Sequence, residues 1–131
     1  MSSQTDTENA SLYERLGGAE GIAVLVDDIV AAHMNNPLIK ARFIPYRDAP
    51  ARLANIKGHT RAFVAMGSGG PSQYTGRSMP DAHRGMNVNA AEYMAATDDI
   101  LAVLKEHGCD ERTQKDVLAI AYFLKADIMN R

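Results

Sequence analysis

Apolar positions along this chain recur at helical spacing, not at the alternation of strands. Over about residues 19–35, Ile22, Leu25, Val26, Ile29, Val30 and His33 fall at three- and four-residue steps and draw one stripe. Over about 51–66, Leu53, Ile56, Thr60, Phe63, Val64 and Gly67 form a second inward face. Tyr93, Met94, Ile100, Leu101, Val103 and Leu104 mark a helix that begins after Asn89 and runs to about His107. Val117, Leu118, Ile120, Ala121, Leu124 and Ile128 give the last helix a broad apolar face, which predicts that it is buried. No hairpin or repeat interrupts the series, so the predicted class is all-α.

Punctuation agrees with these periods. Ser11 and Glu14 match a capping box that starts a short first helix, and Gly17-Gly18 ends it. Asn36-Pro37 ends the second helix, because the residue before a proline avoids helical geometry. A short turn over Leu38–Phe43 and a loop at Ile44-Pro45 should follow. Pro50 opens the third helix, where its missing N–H costs little. Asn89 with Glu92 resembles a second capping box, Gly108 ends that helix, and Asp110 or Thr113 caps the last.

One stretch breaks the pattern. Gly67–Val88, GSGGPSQYTGRSMPDAHRGMNV, is rich in Gly and turn formers. A structureless connection of roughly 20 residues inside a compact domain is usually functional or disordered. Tyr74, Met79, His83, Met86 and Val88 need something to pack on, which argues against disorder. The stretch reads as wrapping a bound group, with His83 as its ligand.

The 131 residues suit one domain, expected over 11–131 behind a polar tail at 1–10. Apolar residues make up 46%, enough for a core. A net charge of −2 without a basic block argues against a nucleic-acid partner held by phosphate contacts. Met1–Ala10 lacks an apolar segment, so neither a signal peptide nor a membrane span is expected there, and the cytoplasm is the default location. Cys109 is the single cysteine, which excludes an internal disulfide and a Cys-based metal cluster. Trp is absent and aromatics are 6%, so a core rich in Met, Ile and Val has room for a large flat apolar cofactor.

The chemistry narrows to four histidines. His33 lies on the apolar stripe and reads as a buried side chain donating to a backbone carbonyl in preference to a ligand. His107, beside Gly108, reads as a cation at a helix C-terminus. His59 projects about 90° from the middle of its helix's apolar face, either half-exposed or leaning over a pocket edge. No HExxH, CxxC, P-loop or GxSxG pattern is present. Isolated histidines in an apolar helical setting fit haem best among metal groups, since one protein His can hold its iron.

Two runs then carry a resemblance. Leu12-Tyr13-Glu14-Arg15-Leu16-Gly17-Gly18 is one; Gly69-Gly70-Pro71, Gln73-Tyr74-Thr75-Gly76-Arg77-Ser78-Met79 and Ala82-His83 together make the other. Together they resemble the group 1 truncated haemoglobins, over Ser11 to about Met129. The resemblance implies a two-over-two helical sandwich around haem b, with the proximal helix reduced to the long loop. It implies that His83 is the proximal iron ligand and that Phe43 stacks on the haem edge. Arg77 is implied as a propionate partner, against the alternative of a solvated loop charge; Tyr74 and Met79 are implied as wall or propionate-side contacts. Ile56, Thr60, Phe63, Val88 and Tyr93 complete the expected haem contacts.

The distal side departs from the family's pattern. Many members place a Tyr on the second helix above the iron, backed by Gln or Leu on the third; the matching positions here are Val30, Ile56 and Thr60. Of these only Thr60 carries a hydroxyl. His59 falls where some cyanobacterial relatives place a His that binds iron directly, so six-coordinate iron between His83 and His59 is expected. The alternatives for His59 are a swinging hydrogen-bond donor or a surface side chain. In those relatives a further His on the last helix joins a haem vinyl covalently. No His follows His107, so non-covalent haem is expected. The function implied is reversible binding of a diatomic gas. The alternatives are a nitric oxide dioxygenase served by an unidentified reductase, or an electron-transfer protein. Monomer or weak dimer is the expected assembly.

Overall fold

The computed structural model describes residues 9–71 and 73–131; the tail expected at 1–10 therefore falls, for residues 1–8, outside the described residues. Helix α1, Leu12–Arg15, is capped by Ser11. Its hydroxyl accepts from the Glu14 N–H at 3.1 Å, and the Glu14 carboxylate accepts from the Ser11 N–H at 3.1 Å. Gly17 takes the left-handed conformation (φ 95°) that lets the chain turn straight into α2, Gly18–Asn35. On α2 the predicted stripe is buried at Ile22, Leu25, Val26, Val30 and His33. Asn36, extended before Pro37, ends it.

The segment expected as a turn and loop is more regular than that. Lys40–Phe43 forms α3, and Ile44–Asp48 continues as a 3-10 helix. Arg42 on α3 grips Glu92 with two hydrogen bonds, at 2.6 and 3.0 Å, and this fixes α3 against a helix 50 residues further on. Helix α4, Pro50–Gly67, opens on Pro50 as predicted. The long connection is not structureless either, for Met79–Ala82 makes one turn of helix, α5. Its cap is Ser78, whose hydroxyl accepts from the Asp81 N–H at 3.3 Å. Helix α6, Ala90–Glu106, carries the predicted Asn89–Glu92 capping box. Helix α7, Glu111–Ile128, is capped by Asp110, which accepts from the Thr113 N–H at 2.9 Å.

Helix α2 packs on both α4 and α6, α6 packs on α7, and α5 rests on α7. Helices α2 and α4 make one pair and α6 and α7 a second, and the contact of α2 with α6 joins them. The core gathers Leu16, Ile22, Leu25, Val26, Val30, Ala65, Val103 and Leu104. It lies where α2, α4 and α6 meet, and α4 gives it only Ala65 as a fully buried residue.

The expected burial of the last helix is corrected. Only Thr113 of α7 is buried, while Tyr122 is 71% and Phe123 80% exposed. Val117, Ile120, Ala121 and Leu124 are half-buried against the neighbouring elements, whereas Leu118, Tyr122 and Phe123 occupy the opposite side. An outer helix of a two-layer stack has neighbours on one side only, so a wide apolar face is covered in part.

Two runs of the sequence signature meet in space. The Tyr13 N–H donates to the Ser68 carbonyl at 2.9 Å. Its ring lies so close to Gly70 that a Cβ there would run into it, and would come 2.9 Å from the Ala65 carbonyl oxygen. The loop's far end is tied as well. Val88 and Met129 form an isolated bridge, flanked by Asn87 N–H to Arg131 O at 3.0 Å and Asn130 N–H to Val88 O at 2.9 Å.

Candidate haem site

His83 follows directly on α5, and the helix sets the orientation of its ring. The Met79 carbonyl accepts from the His83 N–H at 3.2 Å and stands 2.9 Å from His83 Nδ1. A backbone carbonyl only accepts, so Nδ1 carries the proton and Nε2 keeps its lone pair. An imidazole fixed in this way is oriented and made more basic as a metal ligand. The ring is half-buried. Beside it, Arg84 donates to Asp81 at 2.6 Å and, with the Ser78 hydroxyl, holds the Asp81 carboxyl below the usual carboxylate range.

On α4, Ile56, Thr60, Phe63 and Val64 are half-buried and share one face. Thr60 Oγ1 donates to the Ile56 carbonyl at 2.8 Å, so its hydroxyl proton is spent within its own helix. His59 is exposed, and its ring meets Tyr74 edge-on at 6.0 Å between centroids. Phe63 meets the same Tyr74 ring at 5.2 Å. Tyr74, Phe63 and His59 thus form one aromatic cluster between α4 and the loop. The Tyr74 hydroxyl donates to the Arg77 carbonyl at 2.6 Å, and the Arg77 side chain is exposed. Met79 is half-buried beside His83.

The other expected contacts have protein partners of their own. The half-buried Phe43 ring lies 5.1 Å from that of His33. Val88 is 7% exposed against the C-terminal end. Tyr93 donates its hydroxyl to the Ala121 carbonyl at 2.5 Å, and burial pushes that phenol's pKa up. No hydrogen bond or ring contact joins His83 to His59 among the described residues.

His33 departs from expectation, whereas His107 stands at the C-cap of α6 as expected but with an unforeseen side-chain partner. His33, 8% exposed, pairs through Nδ1 with the Asp99 carboxylate at 2.9 Å, not with a backbone carbonyl. Asn36 Nδ2 donates to both oxygens of the same carboxylate at 3.1 Å. His107 Nε2 lies 2.6 Å from Asp28 Oδ2 and so ties the end of α6 to α2. Neither Asp99 nor Asp28 was legible as a partner; the only signal was an acidic residue next to an apolar stripe.

These residues fit haem. Among the described residues, no cluster of three or more His, Cys, Asp or Glu is placed to hold a bare ion. A single oriented imidazole beside half-buried apolar side chains suits an iron already held by a porphyrin. The matches to known proteins point the same way. Residues 11–130 match the model of the bacterial-like globin family, and the chain belongs to that family. Within it, this is a group 1 truncated haemoglobin: it is 31% identical to the group 1 truncated hemoglobin GlbN of a Synechocystis species, over 93% of this chain and 99% of that one. The fold matches the truncated hemoglobin of Tetrahymena pyriformis in its Fe(III) form with a TM-score of 0.83 at 21% identity, covering 93% and 100% of the two chains. It also matches the 2/2 hemoglobin of a Synechococcus species, in the cyanomet state with covalently attached heme, with a TM-score of 0.81 at 24% identity over 93% and 100%. The cofactor is haem b, and the chain's general activity is haem-based binding of diatomic gases.

Proposed function

We propose that this protein binds a diatomic gas reversibly at an iron held by His83, and that His59 competes with the gas for the opposite coordination position. The bond of His83 Nδ1 to the Met79 carbonyl carries the first half of the reading, because it leaves Nε2 as the metal-binding nitrogen. Bound haem would supply an iron that takes the His83 imidazole in one position and an exchangeable ligand in a second.

The chain's own residues set what happens at the second position. Val30 is buried and has no donor, Ile56 has none, and Thr60 gives its proton to Ile56. A bound gas that carries partial negative charge therefore finds no donor among these three. Among the described residues His59 makes no hydrogen bond, so both ring nitrogens are free for iron or for a ligand. If His59 takes the iron, the apparent gas affinity falls by the fraction of protein in the open form. Ile56, Phe63 and Met79 supply apolar walls that exclude water from the site. No His lies on α7, which supports non-covalent haem.

Absorption spectroscopy tests both halves. His83→Ala should lose haem on desalting, and retention with an unchanged spectrum would overturn the proximal assignment. The ligand-free ferrous wild type should be low-spin, and His59→Ala should turn it high-spin. A wild type that is already high-spin removes His59 from the iron. Acidified organic solvent should extract the haem completely.

A further inference from the structure

We propose that Tyr74 is a positioning residue that competes with the iron for His59, a role that rests on the reading of His59 as a distal ligand. Tyr74 is pinned from several sides. Its hydroxyl donates to the Arg77 carbonyl at 2.6 Å, closing the loop on itself. Gly76 lies so near that a Cβ there would run into both the Tyr74 ring and its hydroxyl. Phe63 meets the ring edge-on, with 84° between planes. His59 meets the same ring at 80° but is exposed and makes no hydrogen bond among the described residues. Tyr74 is the fixed partner and His59 the movable one.

An imidazole resting on a fixed ring gives up that contact when it turns toward iron. Aromatic pairs of this geometry bias an equilibrium by roughly two- to tenfold. Tyr74 therefore lowers the share of protein in which His59 holds the iron, and lengthens the time for which the gas site stays open. Its hydroxyl bond to Arg77 keeps the ring in place for this task.

The test uses the haem-loaded protein. After flash photolysis of carbon monoxide, the rate of His59 return to iron should rise by about two- to tenfold in Tyr74→Leu. Tyr74→Phe keeps the ring but loses its tether, so it should fall between wild type and Tyr74→Leu; it serves if the leucine variant loses haem. In the ferrous carbon monoxide complex, where His59 is displaced, proton NMR should show cross-relaxation between the rings of His59 and Tyr74. An unchanged or slower return in the variants, or no such cross-peak, overturns the proposal. The two ideas fail separately. If His59→Ala leaves the ferrous spectrum unaltered, the distal reading falls and takes this one with it. If His59→Ala opens the site but the Tyr74 variants leave the return rate alone, only the role of Tyr74 falls.

Discussion

The meeting of Tyr13 with Gly70 allows a sharp test, because two signature residues far apart in sequence form one contact. Gly70 is not in the left-handed region, so alanine is tolerated there by the backbone alone. What forbids it is space: the added methyl runs into the Tyr13 ring and comes 2.9 Å from the Ala65 carbonyl oxygen. Forcing a methyl into a packed contact costs about 1–3 kcal/mol. Truncating the half-buried ring in Tyr13→Ala should cost about 2 kcal/mol, below the range for a fully buried aromatic. In the Tyr13→Ala background the ring is gone but the Ala65 backbone carbonyl stays 2.9 Å from the methyl, so Gly70→Ala should then cost less than in wild type but still about 1 kcal/mol. The cycle should close with a coupling of about 1–2 kcal/mol. Urea unfolding of the four haem-loaded proteins at one concentration measures it, with the slopes compared to confirm that the unfolded states match. Costs that add within about 0.5 kcal/mol would refute the contact.

Other outcomes follow from single interactions. Asp99→Ala leaves the donors of His33 and Asn36 without their carboxylate and should cost about 1.5–3 kcal/mol in thermal or urea unfolding; Asp98→Ala, at the exposed neighbouring position, should stay within about 0.5 kcal/mol. The Arg42 hydrogen bond, with the Asn89 backbone, holds the Glu92 carboxyl below its ordinary range, and the same pair raises the Arg42 pKa. A carboxyl with a lowered folded pKa contributes stability that is fully present above its unfolded value, about 4.3, and is lost as pH falls through the folded value. Glu92→Gln should therefore flatten the acid limb of the stability-versus-pH curve below about pH 4.3, and an unchanged slope there would deny the pair its role. Asn89→Ala removes the cap at the exit of the His83 loop and should cost about 1 kcal/mol in the same unfolding assay.

What was legible in the sequence was local. Ser11 with Glu14 and Asn89 with Glu92 lie within one helical turn, so their caps follow from spacing alone. The long helices were legible because three or more turns give a period time to repeat. Lys40–Phe43 and Met79–Ala82 are too short for that; α3 is held instead by Arg42 reaching Glu92, a partner that spacing does not reveal. His33 was placed on the buried stripe correctly, but its partner Asp99 is 66 residues away. Periodicity marked the apolar face of α7 without saying how much of it a neighbour covers. For His59 it indicated a shoulder position, and the ring rests there against Tyr74, a contact set by the fold of the loop. His83 was singled out by the oddity of its surroundings and by resemblance, while its acceptor, the Met79 carbonyl, needed the short helix to exist.

The clasp between Val88 and residues 129–131 has a mechanical consequence. Those last residues work as a splint for the segment that leads from His83 into α6. Trimming them, or tethering a load to them, would tug on the backbone around His83 from far along the chain, so a purification handle placed there would strain the surroundings of that imidazole.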